Sequence, residues 1–409
     1  MNLKCRHCRS EQLHDFLDLG FAPHSNRYLS KPELKLFEKT YPLKVLVCEG
    51  CWLVQTEDCV SSSDLFREDY AYFSSISSIW CAHAAAYSEG VIRMFGLDKN
   101  SFVIEVASND GYLLRNFVSA GIPCLGIEPT ASTAVEAERQ GITVLREFFS
   151  KNLGNELANQ GRRADLVAAN NVLAHVPDIN DFVCGLKAVL KQEGVITVEF
   201  PHLMRLMEFN QFDTVYHEHF SYLSLYAVKR IFMSAGLRVF DVEELTTHGG
   251  SLRVYACHSD SSIETLPSVE MILIEEDRCG LRSLHTYMEF QVKANLVKDE
   301  LLRFLLEVKA TKRKVAGYGA AAKGNTLLNY AGVRADLIPF ICDASASKQG
   351  KFMPGSHIPI YAPETLRMYK PDYVIILPWN ITEEVIASLD DLRQYGAKFV
   401  TAIPSLQIQ

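Results

Sequence analysis

A chain of 409 residues with 48% apolar and 22% charged content is too long for one compact core, and a prior of roughly 150 residues per domain gives two or three. Its formal net charge of -8 argues against nucleic acid or an anionic membrane surface as partner, and no apolar run approaches the ~20 residues that span a bilayer. Eleven cysteines, most scattered singly, and a start without an apolar signal stretch point to a reducing, cytoplasmic setting in which thiols serve as small buried hydrophobes.

The first signal is a pair of pairs: Cys5-x-x-Cys8 is answered by Cys48-x-x-Cys51. Two thiolates so spaced form a knuckle on one ion, and two knuckles complete a tetrahedral zinc site. All four places are thiols, so none is open to water and the zinc is expected to be structural. His7 and Cys59 read as bystanders. A redox pair would not come twice, and a DNA-binding ribbon would need a basic surface. Residues 60–90 read as a connector with helical parts. Within it the stretch 69–75, Tyr70 included, sets aromatics beside hydroxyls and reads as a seam between domains.

Residues 102–107 read as a strand, Ser108-Asn109-Asp110-Gly111 as a tight turn, and the apolar-periodic run after it as a helix. Residues 124–127 are a second strand, closed by Glu128-Pro129. That is half of a nucleotide-binding βαβ unit, whose acid can accept hydrogen bonds from both hydroxyls of a ribose. Only Gly111 stands where three glycines would admit a pyrophosphate. A ligand with a ribose and no phosphate fits better, and S-adenosylmethionine is such a ligand; the alternative is an ordinary parallel unit with an incidental acid. Residues 142–144 and 165–169 read as further strands, the latter running into Asn170 through His175 at the carboxyl rim of the sheet, where ligands lie. A helix over 179–190 and a strand over 195–200 follow. Strands at 237–243 and 251–256, around Thr247-His248-Gly249-Gly250, make a closing hairpin.

Between them stands Tyr216-His217-Glu218-His219-Phe220-Ser221-Tyr222. It is not a zincin motif, because the imidazoles are two residues apart; on an extended segment they would share a side. A mononuclear metal there would need a third ligand that the sequence does not nominate. A polar loop satisfying its own backbone is the plainer alternative. Two imidazoles, a carboxylate and two phenols within seven residues favour acid–base catalysis.

Tyr287, Phe290, Ala294, Val297, Leu301, Phe304 and Val308 recur at steps of three and four, one face of a long helix that reads as an interdomain brace. The last hundred residues hold a second α/β unit. Its strand, its glycine-containing turn at 317–320 and the following helix suit an anion, with Lys323 as a point charge. Two nucleotide-type units imply two ligands, a methyl donor and a nucleotide-activated substrate.

Taken together and in order, these motifs resemble the S-adenosylmethionine-dependent C-methyltransferases acting on nucleotide-linked 4-keto-deoxyhexoses, in particular the C-3 methyltransferases of branched sugars. The resemblance covers essentially the whole chain, including His-Gly-Gly-Ser-Leu-Arg-Val and Gly-Tyr-Gly-Ala-Ala-Ala-Lys-Gly-Asn-Thr. It implies an α/β protein with a zinc-binding N-terminal subdomain (1–75), a Rossmann-like class I methyltransferase domain (76–280), and a bracing helix with a second Rossmann-like domain (281–409) that helps hold the sugar nucleotide. By motif, Glu105, Ser108, Asn109, Asp110, Glu128, Pro129 and Asn170 should surround the methyl donor. His219 is the expected general base, with Glu218, Tyr216, His175 and Tyr70 around the sugar and Tyr216, Tyr222 or His175 donating to the C-4 oxygen. Lys323, Asn325, Lys351 and His357 are the expected contacts to a dTDP- or GDP-linked sugar. A monomer suffices for this scheme. Rival readings are an O- or N-methyltransferase, a nicotinamide oxidoreductase and a zinc-ribbon module without chemistry.

Overall fold

The computed structural model describes residues 3–57 and 73–409. Three sheets organise it. In the first, β1 (Leu13–Ala22), β2 (Tyr41–Cys48) and β3 (Val54–Thr56) run antiparallel. Leu43, Val45 and Val47 alternate along β2 into one core, the period-2 pattern of a half-buried strand.

The central sheet contains β4 (Val103–Val106), β5 (Cys124–Ile127), β6 (Val144–Leu145), β7 (Ala164–Ala168) and β8 (Leu190–Pro201), all parallel. Every residue of β4 is buried, as expected of a strand covered on both faces. A short strand β9 (Ser221–Tyr222) leaves this unit and pairs with β3, so the Tyr-His-Glu-His stretch is fastened to the first sheet. The antiparallel hairpin of β10 (Leu237–Leu245) and β11 (Ser251–His258) then closes the central sheet against β8. The order β10-β11-β8-β7-β4-β5-β6 puts the switch point between β4 and β7, where ligands of such sheets bind.

The third sheet is built from β12 (Val315–Tyr318), β13 (Ile341–Cys342), β14 (Ile360–Tyr361), β15 (Tyr373–Ile376), β16 (Lys398–Thr401) and β17 (Gln407–Ile408). Five are parallel, as expected, and β17 adds an antiparallel edge that two polar-flanked residues do not announce in sequence. The helix Phe290–Ala310 buries Phe290, Ala294, Val297, Leu301, Leu305 and Val308. Its Phe290 stacks on Phe16 of β1 at 4.9 Å and its Phe304 meets Tyr373 of β15 at 5.1 Å. It braces the first sheet against the third.

Candidate active site

The turn after β4 has a shape its residue types conceal. Ala107, Asn109 and Gly111 all take left-handed φ, at 60°, 48° and 80°. Asn tolerates that region and Gly is free in it, whereas Ala is strained there by roughly 1–2 kcal/mol. The backbone therefore follows a glycine-rich path with one glycine. The amides of Ala107 and Ser108 donate to Ile127 O, and that of Asn109 donates to Glu128 Oε2 at 2.9 Å. The other Glu128 oxygen accepts from the Thr130 amide.

Glu105, Asp110 and Glu128 are buried together on this rim. Burial, then the charges of Glu128 and Asp110, push the Glu105 carboxyl well above its usual range. Glu105 Oε2, Ser108 Oγ, Asp110 Oδ1 and Asn170 Oδ1 are buried without a hydrogen-bond partner among the described residues. Buried polar atoms are as a rule paired, so this cluster is shaped for a ligand. Three acids repel phosphate and suit a molecule carrying positive charge and hydroxyls. The sulfonium, ammonium and ribose diol of S-adenosylmethionine fit that set. The amides of Ser74 and Ser75 donate to Asn109 Oδ1 and Asp110 Oδ2, both at 3.0 Å. That part of the expected seam thus closes on the loop, while Tyr70 and Cys59 lie outside the described residues.

The Tyr-His-Glu-His stretch is a turn, with the His219 amide donating to Tyr216 O, and its imidazoles part rather than share a side. His217 donates to Pro42 O and meets His24 edge-on. His219 instead packs on Tyr216 (4.1 Å), His175 (4.7 Å) and Tyr222 (5.8 Å). No metal group forms there; among the described residues the one metal-ligand cluster is the four cysteines.

His219 Nδ1 lies 3.1 Å from Thr214 O, and His175 Nδ1 lies 2.8 Å from Glu218 O. A carbonyl only accepts, so each Nδ1 carries the hydrogen and each Nε2 keeps a lone pair. Burial lowers both imidazoles, and for His219 the neighbouring His175, His248 and Lys323 take it well below the usual value. Beside them the Glu218 carboxyl, accepting from Asn26 Nδ2 at 2.9 Å, is pushed up to about 7 by burial. The Tyr222 hydroxyl accepts from the Tyr216 amide.

From the third sheet, the helix Ala322–Tyr330 packs on the segment that holds His219. Thr326 Oγ1 donates to Val215 O at 2.8 Å, and Trp379 Nε1 donates to Asp213 Oδ2 at 2.8 Å. Burial pushes the Asp213 carboxyl up to about 6. Lys323 Nζ donates to Asn380 Oδ1 at 2.7 Å and stands 4.4 Å over the Trp379 ring. His248, at a left-handed φ of 56°, lies 5.2 Å from Trp80 and is pushed down to about 4 by burial and by Lys323. Asn325 is fully buried with neither amide atom paired among the described residues. Lys351 is exposed near Glu33, and His357 donates to Glu38 Oε2 at the surface. In the turn itself the Ala320 amide, expected to meet an anion, donates to Asp343 Oδ2 at 2.7 Å, with Lys348 Nζ 3.4 Å from that oxygen.

The four sulfurs of Cys5, Cys8, Cys48 and Cys51 lie within 4.8 Å of one another, with Cys5–Cys51 and Cys8–Cys48 each at 3.5 Å. Zn–S bonds of about 2.3 Å in a tetrahedron require sulfur spacings of that order. Hydrogen bonding to Cys48, with burial, pushes the Cys5 thiol up to about 12; full ionisation of such a crowded set requires a cation. His7 turns away to Asn180.

Models of three families match the chain in order: a zinc binding domain at 5–66, a methyltransferase domain at 81–242 and a C-methyltransferase C-terminal domain at 246–404. C-methyltransferase NovU of Streptomyces niveus is 34% identical over 405 residues, which cover 99% of this chain and 96% of that one. The chain belongs to the C-methyltransferase family. It is an S-adenosylmethionine-dependent C-methyltransferase with a structural zinc held by its four paired cysteines. Two solved enzymes resemble part of it. Magnesium protoporphyrin IX methyltransferase from Synechocystis PCC 6803 is 14% identical with a TM-score of 0.36, over 44% of this chain and 83% of its own. The Burkholderia thailandensis 1,6-didemethyltoxoflavin-N1-methyltransferase is 15% identical with a TM-score of 0.38, over 51% and 95%.

Sequence reasoning missed Asn26, Thr214, Asp213, Trp379 and His248. Asn26 and His248 stand in short polar stretches that carried no role of their own. Asp213, Thr214 and Trp379 gave no local signal, since their parts depend on contacts between distant segments.

Proposed function

We propose that this C-methyltransferase methylates C-3 of a nucleotide-linked 4-keto-deoxyhexose, with His219 as the base. The observation that carries the reading is the state of His219: a buried, neutral imidazole whose Nδ1 hydrogen is committed to Thr214 O, leaving the Nε2 lone pair to accept a proton. A hydrogen beside a ketone is acidic enough for such a base, whereas an isolated ring hydrogen is not. The C3–H bond breaks, its proton passes to Nε2, its electron pair forms C3=C4, and the carbonyl pair moves to the C-4 oxygen. Glu105, Ser108, Asn109, Asp110, Glu128, Pro129 and Asn170 would hold S-adenosylmethionine, which would supply an electrophilic methyl group to C-3 with its sulfur as the leaving group, so that the ketone reforms. Holding both reactants aligned removes much of the entropic barrier. Glu218, Tyr216, Tyr222 and His175 position the ring; Asn325, Lys351 and His357 are the proposed contacts to the remaining substrate.

The test is incubation with a panel of dTDP- and GDP-linked 4-keto-deoxyhexoses, followed by mass spectrometry and NMR of the product. One added methyl on C-3 is expected. A methyl on oxygen, or no product from any 4-keto sugar while other acceptors react, overturns the reading.

A further inference from the structure

Proton removal beside a ketone leaves negative charge on oxygen, and the imidazoles here are poorly placed to meet it. His219 and His175 each commit their only N–H to a backbone carbonyl, so both present lone pairs toward other partners. The Tyr222 hydroxyl can donate one hydrogen bond but brings no charge. Lys323 does bring charge. Its ammonium has three N–H donors, of which Asn380 is the acceptor seen among the described residues. It rests over Trp379, whose indole is bonded to Asp213, next to the Thr214 carbonyl that fixes His219. Thr326, one helical turn on, bolts the same helix to Val215. The contacts therefore set the ammonium against the Trp379–Asp213 pair, one residue from the Thr214 carbonyl that fixes His219, while at the turn of its own sheet Asp343 occupies the Ala320 amide.

We propose that Lys323 is a catalytic residue that binds the C-4 oxygen as it gains charge, rather than a clamp for the substrate's diphosphate. This rests on the C-3 deprotonation reading given above. The positive charge stabilises the oxyanion as it forms; it also keeps His219 unprotonated before the reaction, and the oxyanion offsets its repulsion of the imidazolium that the step creates. An ammonium also makes the donation without a proton changing hands, so Lys323 ends the step as it began.

The experiment compares Lys323→Met, Lys323→Gln and His219→Asn, each checked for folding by circular dichroism. The readouts are deuterium wash-in at C-3 of the reactive 4-keto sugar nucleotide without methyl donor, and calorimetric binding of that sugar nucleotide and of bare dTDP or GDP. Loss of one oxyanion donor lowers rates about 100-fold to 1,000-fold. Lys323→Met and Lys323→Gln are expected to slow wash-in about 100-fold or more while bare nucleotide binds as before. Undiminished wash-in in a folded Lys323 variant, with none in His219→Asn, overturns this assignment and leaves the base reading standing. Weakened binding of the bare nucleotide in proportion to the lost rate makes Lys323 a phosphate clamp and overturns it too. Full wash-in in His219→Asn sinks the base reading instead.

Discussion

After β4 the chain turns with Ser108 Oγ and Asp110 Oδ1 buried and, among the described residues, unpaired beside Glu105 and Glu128, whereas after β12 it turns with Ala320 already donating to Asp343 and Lys348 already beside that acid. Both are strand–turn–helix units at the carboxyl edge of a parallel sheet. The first leaves polar groups in want of a partner; the second uses its own acid to satisfy its own turn. Local motif alone does not make a nucleotide site: what matters is whether the protein has spent the hydrogen bonds itself. The helix of the second unit instead fastens through Thr326 to Val215, in the segment that holds His219.

Substituting the acids should break the comparison most sharply. Glu128→Ala removes the acceptor of the Asn109 and Thr130 amides as well as the proposed partner of the ribose, so donor affinity should fall about 100-fold, the scale of two lost charge-assisted hydrogen bonds. Asp343→Ala should leave donor affinity within about threefold by calorimetry; equal losses in both would mean that the two turns share a role. Stripping zinc comes next. β3, which follows Cys51, carries β9, and Asn26 in the segment after β1 donates to Glu218, so activity should track zinc content. Metal analysis alongside activity, with zinc restored, checks this; an active zinc-free enzyme contradicts it.

Smaller effects distinguish the turns further. A Cβ on Gly126 would stand 2.4 Å from Ser108 Oγ, whereas one on Gly319, at φ 87°, would stand 2.3 Å from Pro378 Cδ. Each alanine should cost about 1–3 kcal/mol of stability in denaturant titrations, but only Gly126→Ala should weaken donor binding. A further effect is a pH dependence at Glu218. Its folded value of about 7 lies above the ordinary 4.5, so the folded state keeps a proton that the unfolded chain has lost between those values. Stability present below pH 4.5 is therefore lost as pH rises through 7, by up to roughly 3 kcal/mol. Glu218→Gln should make that decline shallower in urea midpoints, leaving the same-signed slopes of Glu105 and Asp213.

Much of this was legible in the chain. The paired cysteines, the acid-tipped unit around Glu105 and Glu128, the closing hairpin and the bracing helix all have local periodicity or spacing as their cause, and sequence carries both. What stayed hidden is tertiary. The left-handed Ala107 looks like any alanine until its backbone is seen. The divergence of His217 and His219 follows from a turn at Tyr216, and the spacing of the two imidazoles alone does not choose between a turn and an extended segment. The Trp379–Asp213 bond joins residues 166 positions apart, and no local pattern encodes it.

Deuterium wash-in at C-3, followed in the wild-type protein and in His219→Asn with no methyl donor present, bears most directly on the imidazole at the centre of this site. Rapid exchange in the first and none in the second, with the sugar nucleotide bound equally by both, is the predicted result. Exchange at the same rate in both would place the base on another residue.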